Sequence, residues 1–284
     1  MGLMSGTGPV GRSPAGVFNF KLPRPGGALY LEPCPKRVRV VLGGEMIADS
    51  RGTMLLHESG HQPIYYFPPS DVRLDLMEPA ERHTRCPKRG QASYYDVRAG
   101  DGFEPAVAWY YPEPIASAPP ALKDMIAFYF ARMDRWLEED EEIRGHPRDP
   151  YHRIDTRASS SRVQLSVGGV VLAESLRPVA LFDTGLPVRW YMPLEDVVAP
   201  LRRSDTVTHC PYKGDASYWN VGDEDDLVWC YEDPMPGALP IKGLACFFNE
   251  RVDLAVDGEA WERPASPWSH RAAAQNAPTA VTRG

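Results

Sequence analysis

The sequence contains one unit twice, and this duplication limits the possible folds more than any single motif does. Arg37-Val-Arg-Val-Val-Leu-Gly-Gly-Glu-Met-Ile-Ala-Asp-Ser50 lies without a gap over Arg162-Val-Gln-Leu-Ser-Val-Gly-Gly-Val-Val-Leu-Ala-Glu-Ser175, an offset of 125 positions. The same offset carries Gly60 onto Gly185, Tyr66 onto Tyr191, Pro68 onto Pro193 and Asp71-Val72 onto Asp196-Val197. One deletion later, Cys86-Pro87, Gly90 and Ala92-Ser93-Tyr94-Tyr95 fall on Cys210-Pro211, Gly214 and Ala216-Ser217-Tyr218-Trp219. Trp109, Tyr111 and Pro114 then meet Trp229, Tyr231 and Pro234. Two copies of this size are a tandem duplication, since solenoid units are shorter and need at least three copies to bury a core.

Each copy reads as β-rich. Val38, Val40 and Leu42 alternate with Arg37, Arg39 and Val41, then Gly43-Gly44 supplies a two-residue turn into Met46–Ala48; Gly168-Gly169 repeats the hairpin. The 29 prolines, about twice the usual share, interrupt both copies and exclude long helices. One segment reads differently: after an apolar strand from Met125 to Phe130, Asp134 to Ile143 is expected to form a short helix. In it Trp136 and Leu137 face the body and Glu138 to Glu142 face solvent. The expected organisation is a mobile tail over 1–27, a first domain over 28–137, a connector over 138–160, a second domain over 161–262 and a mobile tail over 263–284.

Composition excludes several function classes. A net charge of −7 with basic residues scattered among acids argues against a general nucleic-acid binder. No stretch approaches the length of a membrane helix, and Met1 to Gly16 lacks the basic start and apolar run of a secretory signal, so no membrane partner and a cytoplasmic location are expected. The five cysteines, Cys34, Cys86, Cys210, Cys230 and Cys246, form no C-x-x-C pair, which argues against both a disulfide framework and a four-cysteine zinc site. No cofactor and no metal are expected.

At Cys210-Pro-Tyr-Lys-Gly-Asp-Ala-Ser-Tyr-Trp219, followed by Trp229-Cys-Tyr-Glu-Asp-Pro234, the sequence resembles the DUF427 family, over both copies and the connector, about Leu31 to Trp261. The resemblance implies a mainly β, largely antiparallel domain related to the Mss4-like or β-tent folds, without their zinc-binding cysteine pairs. It implies little about activity. The family is also labelled a nucleotidyltransferase, but the chain lacks a glycine-serine phosphate turn followed by paired aspartates, so that activity is the least supported alternative.

His57-Glu-Ser-Gly-His61 fits H-E-x-x-H, but that metal motif needs a helix, and this stretch contains Gly60 and is followed by Pro63. A turn with exposed polar residues is expected instead. The Cys-Pro-x-Lys/Arg-Gly turns are better candidates for chemistry. A thiol beside a cation can serve as a nucleophile, although a cysteine between strands also packs as a small apolar residue.

His209, Cys210, Lys213 and Tyr191 are the candidate catalytic residues. Arg189, Trp190, Tyr212, Tyr218 and Trp219 are the candidate substrate-binding residues, joined by Arg148 and Tyr151 of the connector. Alternation along strands should turn one member of each adjacent aromatic pair inward and the other outward or into a cleft. Aromatics with a few polar directors are how small-molecule sites are lined, although core packing also explains most of these rings. The expected protein binds an organic small molecule in a cleft of the second copy and the connector. It is either a metal-independent enzyme using acid-base or nucleophilic chemistry or a non-catalytic binding or interaction protein. The second copy is favoured as the working one because His209 and Lys213 replace the fixed charges Arg85 and Arg89 of the first.

Overall fold

A computed structural model describes residues 27–266 and, outside that run, residues 2, 4, 8–12, 14–21 and 269. The chain divides between Tyr151 and His152 into two compact units. Both are built from antiparallel strands, and among the described residues helix is confined to short 3-10 turns.

Unit 1 contains β1 (Leu29–Pro33), β2 (Val38–Leu42), β3 (Glu45–Ser50), β4 (Met54–Glu58), β5 (Ile64–Tyr66) and β6 (Met77–Cys86). It continues with β7 (Gly90–Ala99), β8 (Gly102–Tyr110), β9 (Ala127–Phe128), β10 (Arg135–Glu138) and β11 (Glu141–Ile143). Unit 2 contains β12 (Ile154–Ala158), β13 (Val163–Val167), β14 (Val170–Ser175), β15 (Val179–Asp183), β16 (Arg189–Met192) and β17 (Leu201–Cys210). It ends with β18 (Gly214–Val221), β19 (Glu224–Cys230), β20 (Ala245–Phe247), β21 (Asp253–Val256) and β22 (Glu259–Trp261).

The duplication is complete at the level of pairing. Unit 1 has the sheets β11-β10-β2-β3, β1-β4-β5 and β6-β7-β8-β9, and unit 2 repeats the first as β22-β21-β13-β14. The other two are fused in unit 2 into one sheet, β12-β15-β16-β20-β19-β18-β17. Their junction is the β16–β20 ladder, Met192 opposite Ala245; in unit 1 the same place holds a single bridge, Phe67 to Ile126.

The double-glycine turns behave as their sequence predicts. Gly43 and Gly44 have φ of 57° and 78°, Gly168 and Gly169 φ of 56° and 82°, the positive values a two-residue hairpin needs.

Segment 134–143 is a correction: it is the hairpin β10–β11, with no helix. Trp136 lies opposite Val40 of β2, and Glu139 makes the turn at φ 48°. The strand is favoured because Trp136 fills the core beneath Phe67 and Phe128, and because Glu138 is buried, where it accepts hydrogen bonds from Tyr65 and Lys36. An exposed acidic helix face could not make those bonds.

Each central sheet is covered on both sides. Tyr65 and Phe67 enter one core of unit 1 while Tyr66 enters the other; in unit 2 Trp190 and Met192 enter one core and Tyr191 the other. Both members of these adjacent pairs are therefore buried in cores, which corrects the expectation that one would face outward or into a cleft. Of the two tails expected to be mobile, residues 1, 3, 5–7, 13, 22–26, 267–268 and 270–284 lie outside the described residues.

Candidate functional site

The polar groups of unit 2 gather where strand β15 ends beside the turn that joins β17 to β18. The turn is closed by the Lys213 amide bonding to Cys210 O at 3.2 Å and tied down by the Met235 amide bonding to Lys213 O at 3.0 Å. Gly214 follows at φ 101°, a conformation L side chains rarely adopt, which is the reason the spacing from cysteine to glycine is the same in the two copies.

Lys213 forms a buried ion pair with Asp183, the last residue of β15. His152 Nε2 lies 2.7 Å from the other carboxylate oxygen, and the Tyr212 ring stacks on the His152 ring with centroids 3.9 Å apart. Burial by itself would raise the Asp183 pKa, but His152 and Lys213 reverse this and hold the carboxyl well below the usual carboxylate range. Burial also opposes the charge on Lys213, yet Cys210 and Asp183 overcome it and the pKa rises. Lys213 is thus a fixed cation, suited to holding a charge or dipole and not to acting as a neutral amine.

A second buried pair stands on β16. Arg189 bonds Glu250 through two nitrogens at 2.6 and 2.7 Å and also donates to Asn249. Its guanidinium lies 5.4 Å from the Trp229 ring, and Trp229 Nε1 donates to Tyr191 Oη at 3.0 Å. Burial pushes the Tyr191 phenol well above its ordinary value, so it stays neutral and serves as a hydrogen-bonding group. Tyr218 packs in the same core, its hydroxyl 2.8 Å from Thr208 Oγ1. His209 Nδ1 sits 2.6 Å from Asp215 Oδ1, while its Nε2 is buried without a hydrogen-bond partner among the described residues.

The structure therefore brings together Tyr191, Arg189, Cys210, Tyr212, Lys213 and Tyr218 on one face of the large sheet, with His209 beside Cys210 at the end of β17. Trp190 and Trp219 pack on the opposite face, Trp219 also against Arg203 at 4.5 Å. Arg148 and Tyr151 belong to unit 1. Sequence reasoning passed over Asp183, His152 and Glu250. Asp183 was within reach, because the offset of 125 places it on Glu58, an acid in both copies.

Unit 1 repeats part of this design. Arg89 Nε donates to Cys86 Sγ at 3.3 Å and Arg89 also contacts Glu58 at 3.2 Å; Lys88 contacts the other Glu58 oxygen at 3.0 Å. Trp109 Nε1 donates to Tyr66 Oη at 3.2 Å, with the rings at 86° where the unit 2 pair stands at 89°. The thiol, cation, acid and Tyr–Trp pair are thus common to both units.

The Arg189–Glu250 pair is not common. Register across β4–β5 and β15–β16 places Ile64 at the position of Arg189; register across β8–β9 and β19–β20 sets Phe128 on Phe247, and the sequence carried on from there without a gap places Ala131 at Glu250.

The His57–His61 stretch differs from its expectation. His57 and Glu58 end strand β4 and the expected turn follows, closed by the His61 amide donating to Glu58 O at 3.0 Å, but His57, Glu58 and Ser59 are buried, so its polar residues are not exposed. The cause is pairing: His57 lies opposite Tyr30 of β1 with its Nε2 2.8 Å from Glu32, and Glu58 meets Lys88 and Arg89. Among the described residues no three His, Cys, Asp or Glu side chains are grouped to hold a metal ion, and no helix is long and apolar enough to cross a membrane.

The sequence profile of the family described as Domain of unknown function (DUF427) matches residues 30–139 and again 155–258, together more than half of the chain. No curated protein matches it.

Proposed function

The chain belongs to the DUF427 family, and from the geometry of unit 2 we propose that it is a small-molecule-binding protein whose site lies against the Cys210–Gly214 turn. The observation that carries this reading is the contrast between the two units. Unit 1 reaches the same fold with Ile64 and Ala131 where unit 2 buries Arg189 and Glu250, so the fold does not require the pair. A buried ion pair gives little net stability against an apolar replacement and is weak evidence for a structural role. Polar groups held in fixed orientation beside aromatic rings support recognition of a polar organic ligand. Cys210 and Tyr212, half-buried, form the reachable side. If chemistry follows binding, His209 Nε2 and the Cys210 thiol are the groups for proton transfer and nucleophilic attack, because Lys213 is held charged and Tyr191 neutral.

The test is native mass spectrometry of the full chain after incubation with a polar cell extract and washing. The wild type should retain a small molecule in stoichiometric amount. The joint variant Arg189→Ile with Glu250→Ala, which copies the residues of unit 1, should stay folded and retain at least tenfold less. Retention by neither protein, or equal retention by both, would refute the reading.

A further inference from the structure

Unit 1 holds a polar and aromatic cluster that takes no part in the site above. Glu32, on β1, accepts hydrogen bonds on Oε2 from Tyr30 at 3.2 Å and from Tyr151 at 2.8 Å. Its Oε1 lies 2.8 Å from His57 Nε2. Local structure explains the gathering: residues two apart on a strand share a face, which puts Tyr30 beside Glu32, and antiparallel register sets His57 opposite Tyr30. The ring centroids of Tyr30 and His57 are 5.8 Å apart, those of His57 and Tyr151 5.6 Å, and those of Tyr30 and Tyr151 6.4 Å. None of the three pairs is stacked flat, so three rings stand at angles around one carboxylate. Asp149 adds a second carboxylate, 3.9 Å from His57 Nδ1.

Two features point to a ligand. Glu32, with a side chain only 18% exposed, is paired with His57 and with no lysine or arginine among the described residues, so it has no permanently charged partner, and a carboxylate so withdrawn from water favours one. Tyr30 and Tyr151 are exposed, so their rings can be reached from solvent, while His57 is buried beneath them. The fold does not impose the arrangement, because unit 2 has Asp155, Arg157 and Phe182 at the positions of Tyr30, Glu32 and His57.

We propose that this cluster binds an organic cation of the quaternary ammonium class. Ring faces attract cations, and angled aromatic rings near a negative charge are the usual means of recognising methylated ammonium groups. The choice between a quaternary and a simple ammonium follows from the hydrogen bonds. Tyr30 and Tyr151 both donate to Oε2 and His57 occupies Oε1, so little acceptor capacity is left for an N–H donor. A cation without N–H groups loses nothing by this and gains both the charge of Glu32 and the ring faces. Tyr30 and Tyr151 would touch the ligand, Glu32 would neutralise it, and His57 would position Glu32.

The experiment titrates the full chain with tetramethylammonium chloride, and separately with ammonium chloride, at constant ionic strength, following backbone amide NMR shifts. Tetramethylammonium should give saturable shifts at residues around Tyr30, Glu32 and Tyr151 with an affinity on the millimolar scale or tighter, and ammonium should bind at least tenfold more weakly. Tyr151→Leu and Glu32→Gln should each weaken tetramethylammonium binding by about tenfold. Tyr151→Phe keeps the ring on an exposed side chain and should retain binding, so loss of fold in another variant leaves the proposal testable. The absence of saturable shifts in the wild type, equal binding of the two cations, or shifts confined to unit 2 would each overturn it.

Discussion

Asp183 shows how one carboxylate ties a turn to a strand. It meets Lys213 from the Cys210–Gly214 turn and His152 from the start of the unit, all three buried. Removing one partner of such a pair leaves a buried charge unmatched, so Asp183→Asn should cost roughly 3–5 kcal/mol near neutral pH. The pH dependence has a definite sign. A carboxyl whose pKa is depressed by folding contributes stability above its unfolded value, near 3.9, and loses it as pH falls toward the folded value. The gap between wild type and variant in chemical denaturation should therefore be full above about pH 5 and shrink steadily below about pH 4. A gap constant down to pH 2 would show that the ion pair is not its source. The sequence did not reveal this residue, because one acid at a strand end makes no local motif. Only the alignment of Asp183 with Glu58 marks it, whereas Cys210, Lys213 and Gly214 stood out through a turn whose spacing repeats.

At the scale of elements, the hairpins were legible and the segment 134–143 was not, for related reasons. A double glycine announces a turn with positive φ at both positions, so β2–β3 and β13–β14 could be read directly. The β10–β11 turn places a non-glycine residue, Glu139, at positive φ, and its acidic surroundings imitate a solvated helix face. What decides between helix and strand there is burial of Trp136 and Glu138 against residues far away in sequence. The two glycine turns also differ from each other. A Cβ on Gly43 would stand 1.9 Å from the carbonyl oxygen of Ala99, whereas one on Gly168 would meet nothing within 4 Å. Gly168→Ala should therefore cost only the backbone strain, roughly 1 kcal/mol. Gly43→Ala must also displace backbone and should cost about 3 kcal/mol or more. Equal costs in chemical denaturation would mean that the β7–β8 turn yields to the added methyl.

Across the whole molecule, the second unit serves as a natural comparison for the first: a polar pair that only one of them buries is not required by the fold they share. The sequence disclosed the duplication and its β character because a gapless repeat is visible without any structure. It could not show that both faces of the central sheets are covered, since Tyr65-Tyr66 and Trp190-Tyr191 look alike whether one ring or both are buried.

A chain that carries the same strand order twice also offers every strand a wrong partner, and neighbouring copies of one fold are prone to trading segments during folding. Were β16 to take the place of β5, Arg189 would arrive where Ile64 stands, with Ala131 in place of a carboxylate, and Glu138 would face Trp190 instead of the Tyr65 hydroxyl. Each buried polar pair would thus be left mismatched in the exchanged arrangement, which should penalise it. Refolding from denaturant at high protein concentration should then give the Arg189→Ile, Glu250→Ala protein a larger misassembled fraction by size-exclusion chromatography than the wild type. Equal fractions would leave the pair without this role in guiding each strand to its own sheet.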